Sequence, residues 1–214
     1  GSAASVSETS GEFGVAVPRG LHKLEGLAAL VGAGEGIPAA GRQAMAELYA
    51  HGRAAAERVA ALEEQIVRHA RQDATARRLA TIPGIGPITA SLIAATVGDH
   101  VGAFRSARRF AAWLGLVPRQ HSTGGGTRLG GITKAGNAET RRLLVLGATS
   151  MVRRATRRDS KAGLWVRGVL ARRPVRLVTV ALANKLARIA WALMTRGEVY
   201  QARGRTPAAA ATVA

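Results

Sequence analysis

The stretch from Ala39 to His69 most constrains what this chain can fold into, because it lacks proline and is rich in strong helix formers. Apolar or small residues recur in it at alternating steps of three and four, a heptad pattern weakened by one glycine and one histidine. These positions are Met45, Leu48, Gly52, Ala55, Val59, Leu62, Ile66 and His69. The pattern predicts one long helix. It leaves open whether residues 40–69 pair with a second copy, giving a homo-oligomer, or with another helix of the same chain.

Hydrophobic residues make up 47% of the chain and aromatic residues only 4%, so the core must be built from Ala, Leu, Val and Ile. The composition predicts an all-α protein, because Ala, Leu, Arg and Glu dominate long stretches and are strong helix formers. Further helices are predicted at 21–31, 71–81, 88–97, 106–114, 138–158 and 175–195, with a long loop or a small hairpin at 118–137. The predicted organisation is a flexible leader (1–18), a helical spacer (19–78), a C-terminal domain (79–200) and a disordered tail (201–214). The start at Gly1-Ser2, without an initiator Met, is typical of a fragment of a longer protein.

The distribution of charge indicates which class of partner the chain binds. The formal net charge is +18, and seventeen basic residues between Phe104 and Arg176 face only Glu139 and Asp159. A positive field of this density favours a polyanion such as nucleic acid, although an arginine-rich genome would raise the same count. The chain has no cysteine, which excludes disulfides and thiolate metal sites. Without a long uncharged apolar run or a signal peptide, a cytoplasmic, nucleoid-associated bacterial protein is expected.

A possible backbone-binding turn lies in residues 79–93, which resemble a helix-hairpin-helix. Gly84 and Gly86 in the turn permit positive φ and a close approach to a ligand. Backbone N–H groups of the turn and of the next helix could then bind a phosphate without reading a base. The alternative is a helical corner that serves packing alone.

The strongest resemblance lies in the glycine-rich stretch from Phe104 to Leu144. Its first half carries the pattern F-x5-[FL]-A-x-[WY]-x-G-L-x-P-x3-S-[ST]-G-G, and its second half the pattern L-G-x-I-[ST]-K-x-G-[ND]-x3-R-x2-L. With the run Ala181–Trp191, these motifs resemble the C-terminal domain of the insertion-sequence-110 (110/116/902) family of transposases, which is related to the Piv-type DNA invertases. The likeness extends from Glu12 to Tyr200.

The resemblance implies a catalytic role for Ser122, as the nucleophile that attacks a DNA phosphodiester during transposition. A serine hydroxyl needs activation by a base or a metal, and His121 is one candidate base. In the family, four carboxylates of a RuvC-like domain bind divalent metal such as Mg, and no such cluster is recognisable here. We therefore expect no metal or other cofactor in this chain, and no catalysis by the isolated chain.

Arginines and lysines are the candidate nucleic-acid contacts in the same region. Together with Gly84 and Gly86, the predicted set is Arg119, Arg128, Lys134, Arg141, Arg142, Arg153 and Arg154. Paired arginines near helix ends suit successive phosphates, and the resemblance implies a structured guide RNA as well as DNA. The tryptophans Trp113, Trp165 and Trp191 are predicted to pack in the core. The alternatives to a transposase are a non-catalytic DNA- or RNA-binding protein and a dimerisation module.

Overall fold

The computed structural model describes residues 38–123, 126–155 and 161–201, without the side chains of 121–129 and 161–162. The chain divides into two compact units, Gly1–Gln65 and Ile66–Ala214. In chain order the described elements are α1 (Ala39–Gln72), α2 (Ala74–Ala80), α3 (Pro87–Val97), a 3-10 helix (Gly98–Ala103), α4 (Ala107–Trp113), β1 (Pro118–Thr123), β2 (Gly126–Ile132), α5 (Ala138–Ala155), α6 (Lys161–Leu170) and α7 (Val175–Arg196).

The all-α class is confirmed, and local sequence explains several helix ends. Asp73 caps α2 by accepting a hydrogen bond from the backbone N–H of Ala76, so this helix begins later than the predicted Arg71. Ser106 caps α4 in the same way through the N–H of Arg109. Asn137 Oδ1 accepts from the N–H of Thr140 at 2.8 Å at the start of α5. Each cap satisfies an N–H group that the helix itself leaves unpaired.

The core of the second unit is built around α7, which packs against α5, α4, α2 and α6. Its buried side chains recur every three or four residues and include Val178, Leu182, Leu186, Ala190 and Leu193. By length and composition, α7 is also apolar enough to cross a membrane. A buried core helix passes the same test, and its packing identifies α7 as such a helix.

The region from 118 to 137 forms a small antiparallel hairpin of β1 and β2, one of the two predicted forms. Two elements escaped prediction: the 3-10 helix and α6. Gly163 and Gly168 lower the helix propensity of α6. Burial of Val166 in the core favours this helix despite them. The predicted leader (1–18), the short helix at 21–31 and the tail beyond residue 201 lie outside the described residues.

The heptad seam of α1 changes character along its length. Met45 is only 1% exposed and Gly52 is buried, whereas Leu48 is half-buried and Ala55 is exposed. Further along, Val59, Leu62 and Ile66 are 51%, 54% and 38% exposed. The second half of the seam therefore presents an uncovered apolar stripe.

Candidate nucleic-acid interface and its hairpin

The hairpin that carries Ser122 is short and projects from helices. Ser122 pairs with Thr127, next to the last pair of the described ladder, Thr123 with Gly126. An irregularity between Pro118 and Gln120 interrupts the pairing near the base. A strand rises about 3.3 Å per residue, so Ser122 lies roughly 13 Å along the strand from Pro118. The candidate nucleophile is thus at the outer end of the hairpin.

Two glycines close the base of the hairpin tightly. Gly115 and Gly136 have φ of 69° and 73°, a left-handed conformation that side chains disfavour. A Cβ on Gly136 would overlap the carbonyl oxygen of Trp113, and a Cβ on Gly115 would overlap the carbonyl oxygen of Ala135. No other residue type fits either position without moving the backbone.

Side chains from two helices then fix this base. Arg141 Nη1 donates to the carbonyl oxygens of Leu114 at 3.0 Å and Ala135 at 2.9 Å. Asn184 Nδ2, on α7, donates to the carbonyl oxygen of Leu116 at 3.1 Å. Arg141 was predicted as a nucleic-acid contact, and the structure places its guanidinium on backbone carbonyls at the hairpin base. It therefore positions the hairpin.

The other predicted basic residues belong to the hairpin segment and to α5. Arg119 is exposed, and its Nη2 donates to the Thr133 carbonyl at 3.3 Å; Lys134 is also exposed, with φ of 57°. On α5, Arg142 is exposed and forms a salt bridge with Glu139 at 2.9 Å. Arg153 and Arg154 are exposed in the last turn of α5. The side chain of Arg128 lies outside the described residues.

The turn between α2 and α3 is used in part for packing. Gly84 has φ of 88°, and a Cβ on it would lie 2.5 Å from Met151 Sδ. A Cβ on Gly147 of α5 would in turn overlap the carbonyl oxygen of Gly84. The turn and α5 therefore touch backbone to backbone. Gly86 is exposed, and a Cβ on it would meet nothing within 4 Å, so its side of the turn is the one open to a ligand.

Trp113 was predicted to be a core residue, and this prediction is wrong. The residue is 37% exposed. Its ring packs on Phe104 and Phe110, with ring centroids 5.3 and 6.0 Å away. Trp113 is the last residue of α4, where the chain turns into the hairpin, so only part of its ring can reach the core. Its exposure could have been predicted from its position in the sequence, directly before the glycine-rich stretch.

No group of three or more His, Cys, Asp or Glu that could hold a metal ion occurs among the described residues. The carboxylates nearest in sequence to the hairpin, Asp99 and Glu139, are separated by the whole of α4 and the hairpin.

The segment holding these features is similar to a transposase domain. Residues 76–163 match the model of the family described as Transposase IS116/IS110/IS902 family. The matched segment runs from α2 through the hairpin and α5 into α6.

Curated transposases are similar over most of the chain. A Pseudomonas aeruginosa protein named "Probable family 20 transposase" is 47% identical over 194 residues, covering 89% of this chain and 57% of that protein. The transposase for insertion sequence element IS1328 of Yersinia enterocolitica is 42% identical, over 88% of this chain and 56% of that protein. The transposase for element IS1111A of Coxiella burnetii is 41% identical, over 68% and 40%. The chain thus spans about half the length of these relatives.

Proposed function

We propose that this chain is the nucleic-acid-handling part of a transposase for DNA transposition, and that its hairpin presents Ser122 to a DNA phosphodiester. The observation that carries the proposal is the hairpin's construction within a segment that matches a transposase family model. Two glycines that tolerate no Cβ and the side chains of Arg141 and Asn184 fix its base, while Ser122 lies near its outer end. Such an arrangement suits a nucleophile that must be held out to a large substrate.

In the proposed reaction, one P–O bond forms as another breaks. The Ser122 oxygen attacks the phosphorus, a P–O bond to serine forms, and the P–O bond to one sugar oxygen breaks. That sugar leaves with the proton that the serine gives up. Rejoining reverses the step with a different sugar hydroxyl, so the bond energy of the cut strand is retained. Replacing Ser122 by Ala in a full-length transposase containing these residues tests this role.

Activation of Ser122 has two proposed sources. One is a divalent metal held by a RuvC-like domain such as the family's, which would also stabilise charge on the phosphoryl group. The other is a neighbouring base, for which His121 is the candidate in this sequence. Exposed Arg119 and Lys134, near the base of the hairpin, are suited to hold the phosphate backbone.

The basic helices are proposed to bind DNA and a structured guide RNA. Their support is the charge distribution: no acid occurs between Asp99 and Glu139, and Arg153 and Arg154 lie exposed at the end of α5. Contacts of this kind read the phosphate backbone and not the bases. Binding to DNA would associate the protein with the bacterial nucleoid.

The isolated chain should bind duplex DNA and structured RNA with a steep dependence on salt. Each phosphate contact contributes a slope of about 0.9 in log affinity against log salt concentration on duplex DNA. Replacing both Lys134 and Arg154 by Gln should lower that slope by roughly 2 and weaken binding to all sequences alike. Fluorescence anisotropy over a salt series measures the effect.

The matched control is Arg53→Gln, which removes one positive charge from α1. Arg53 is paired with Glu57 at 2.9 Å, and it lies outside the proposed interface. Its affinity and slope should equal those of the unaltered chain. Equal slopes for the control and the double variant would contradict the proposed interface, and no binding at all would reject the nucleic-acid function.

A homo-oligomer through α1 is part of the same proposal. The exposed half of the seam, with Val59, Leu62 and Ile66, follows the heptad spacing of a helix that pairs with its own copy. Leu62→Glu should convert a dimer to a monomer in sedimentation velocity, because it places a charge in the apolar seam. Ala61→Glu adds the same charge one residue away, off the seam, and should leave the dimer intact. A monomeric unaltered chain at micromolar concentration would overturn this assignment.

A further inference from the structure

We infer that the exposed ring of Trp113 binds an unpaired nucleobase at the foot of the Ser122 hairpin. This inference rests on the proposed nucleic-acid function and adds a contact that distinguishes unpaired from paired strands. Contacts to phosphates bind both kinds of strand, whereas stacking on an aromatic ring requires a base free of its partner.

The ring of Trp113 is held in place from one side. Phe110 is fully buried and its ring is stacked with that of Trp113, with an interplanar angle of 20°. Phe104 packs against the same ring at 58° and is itself edge-to-face with Phe110. The three rings form one cluster whose outer member is 37% exposed. A ring fixed in this way loses little freedom when a base stacks on it.

The position of Trp113 links it to the hairpin. Its carbonyl oxygen lies directly against Gly136, which closes the hairpin base. Ser122 lies roughly 13 Å along β1 from Pro118, estimated from the rise per residue, and Pro118 is five residues after Trp113. A strand that follows the hairpin would therefore bring a base a few nucleotides from the attacked phosphodiester onto the ring. Exchange of strands between duplexes requires bases near the reacting bond to unpair, so this is where an unpaired base arises.

The charge around the ring favours nucleic acid over a protein partner. Arg105, Arg108 and Arg109 precede it in the sequence and are exposed, and Arg109 is one helical turn before Trp113, on the same side of α4. Asp99 and Glu139 are the nearest acids along the chain. An exposed aromatic ring with an exposed arginine on the same side of its helix is a combination that proteins use to bind single strands.

The experiment compares three oligonucleotides of one sequence: a duplex, the same duplex with a central unpaired bubble, and the single strand. Trp113→Leu in the full chain should weaken binding to the bubble and the single strand roughly tenfold, the loss typical of one stacked base, and leave duplex binding unchanged. Trp113→Phe should retain most of the affinity. Leu177→Ala, which trims another exposed apolar side chain, is the control and should have no effect.

A second measurement needs no substitution and so does not depend on folding of a variant. Photocrosslinking of the unaltered chain to a bubble that contains 5-bromouracil should attach the base to Trp113. Crosslinks confined to other residues, or equal losses on all three probes for Trp113→Leu, would overturn the inference. Normal binding of every probe by Trp113→Leu would overturn it while leaving the proposed function standing. Failure of the unaltered chain to bind any probe would overturn both.

Discussion

Ser122→Ala should abolish recombination by a full-length transposase containing these residues, with a loss on the order of 10⁴-fold or more, as expected when a covalent nucleophile is removed. The substitution removes one oxygen atom and leaves the backbone of β1 able to pair as before. DNA binding should therefore stay within about twofold of the unaltered protein, since phosphate contacts dominate affinity. Recombination between two plasmids, scored by amplification of the new junction, measures the effect.

Trapping the covalent protein–DNA intermediate is a second test of the same prediction. A protein–DNA adduct that survives denaturation should form with the unaltered protein and disappear with Ser122→Ala. Thr123→Ala is the matched control, because the neighbouring hydroxyl lies one residue along the same strand. It should retain both adduct and activity. Recombination unchanged by Ser122→Ala, or lost equally in Thr123→Ala, would reject Ser122 as the nucleophile.

Gly147→Ala should destabilise the chain by about 3 kcal/mol, at the upper end of the usual cost of overpacking. A Cβ at this position would overlap the carbonyl oxygen of Gly84, which is backbone and cannot rotate away. Alanine would otherwise be favoured in the middle of α5 by up to about 1 kcal/mol. At about 2–4 °C per kcal/mol, the unfolding temperature should fall by roughly 6–12 °C. Thermal unfolding followed by circular dichroism at the helix band measures it.

The matched control is Gly168→Ala, also within a helix. A Cβ at Gly168 meets nothing within 4 Å and the residue is exposed. This variant should gain about 0.5–1 kcal/mol, because alanine loses less backbone freedom on folding. If Gly147→Ala were neutral or stabilising, the close contact between the α2–α3 turn and α5 would be disproved.

The sequence carried enough information to predict the helices whose signals are local. The periodicity of α1 and the runs that form α3, α4, α5 and α7 predicted these helices to within a few residues at most ends. The boundary between α1 and α2 was predicted less accurately. It is set by the N-cap hydrogen bond of Asp73, which the helical pattern does not reveal. The helix α6 was missed because its glycines weaken the local signal, and distant packing decides its conformation.

The candidate site depended more on contacts between distant parts of the chain. The motif placed Ser122 in a glycine-rich segment, but only the fold joins Arg141 to the carbonyls of Leu114 and Ala135. Likewise, the contact between Gly84 and Gly147 joins the α2–α3 turn to α5. The sequence shows which chemical groups a residue carries. Contacts with distant parts of the chain decide whether those groups are used in packing or remain free to bind a ligand.

The hydrogen bonds that hold the hairpin lie at its base, and this affects which of its residues can change without disturbing the helices. The bonds that secure it, from Thr133 to Val117 and from Asn184 to Leu116, lie at its root. Changes in length or composition between residues 119 and 131 should therefore alter reach and target preference while sparing the helical scaffold. If the proposed function holds, exchanging that segment between relatives would change the choice of target and leave the helical body unaltered.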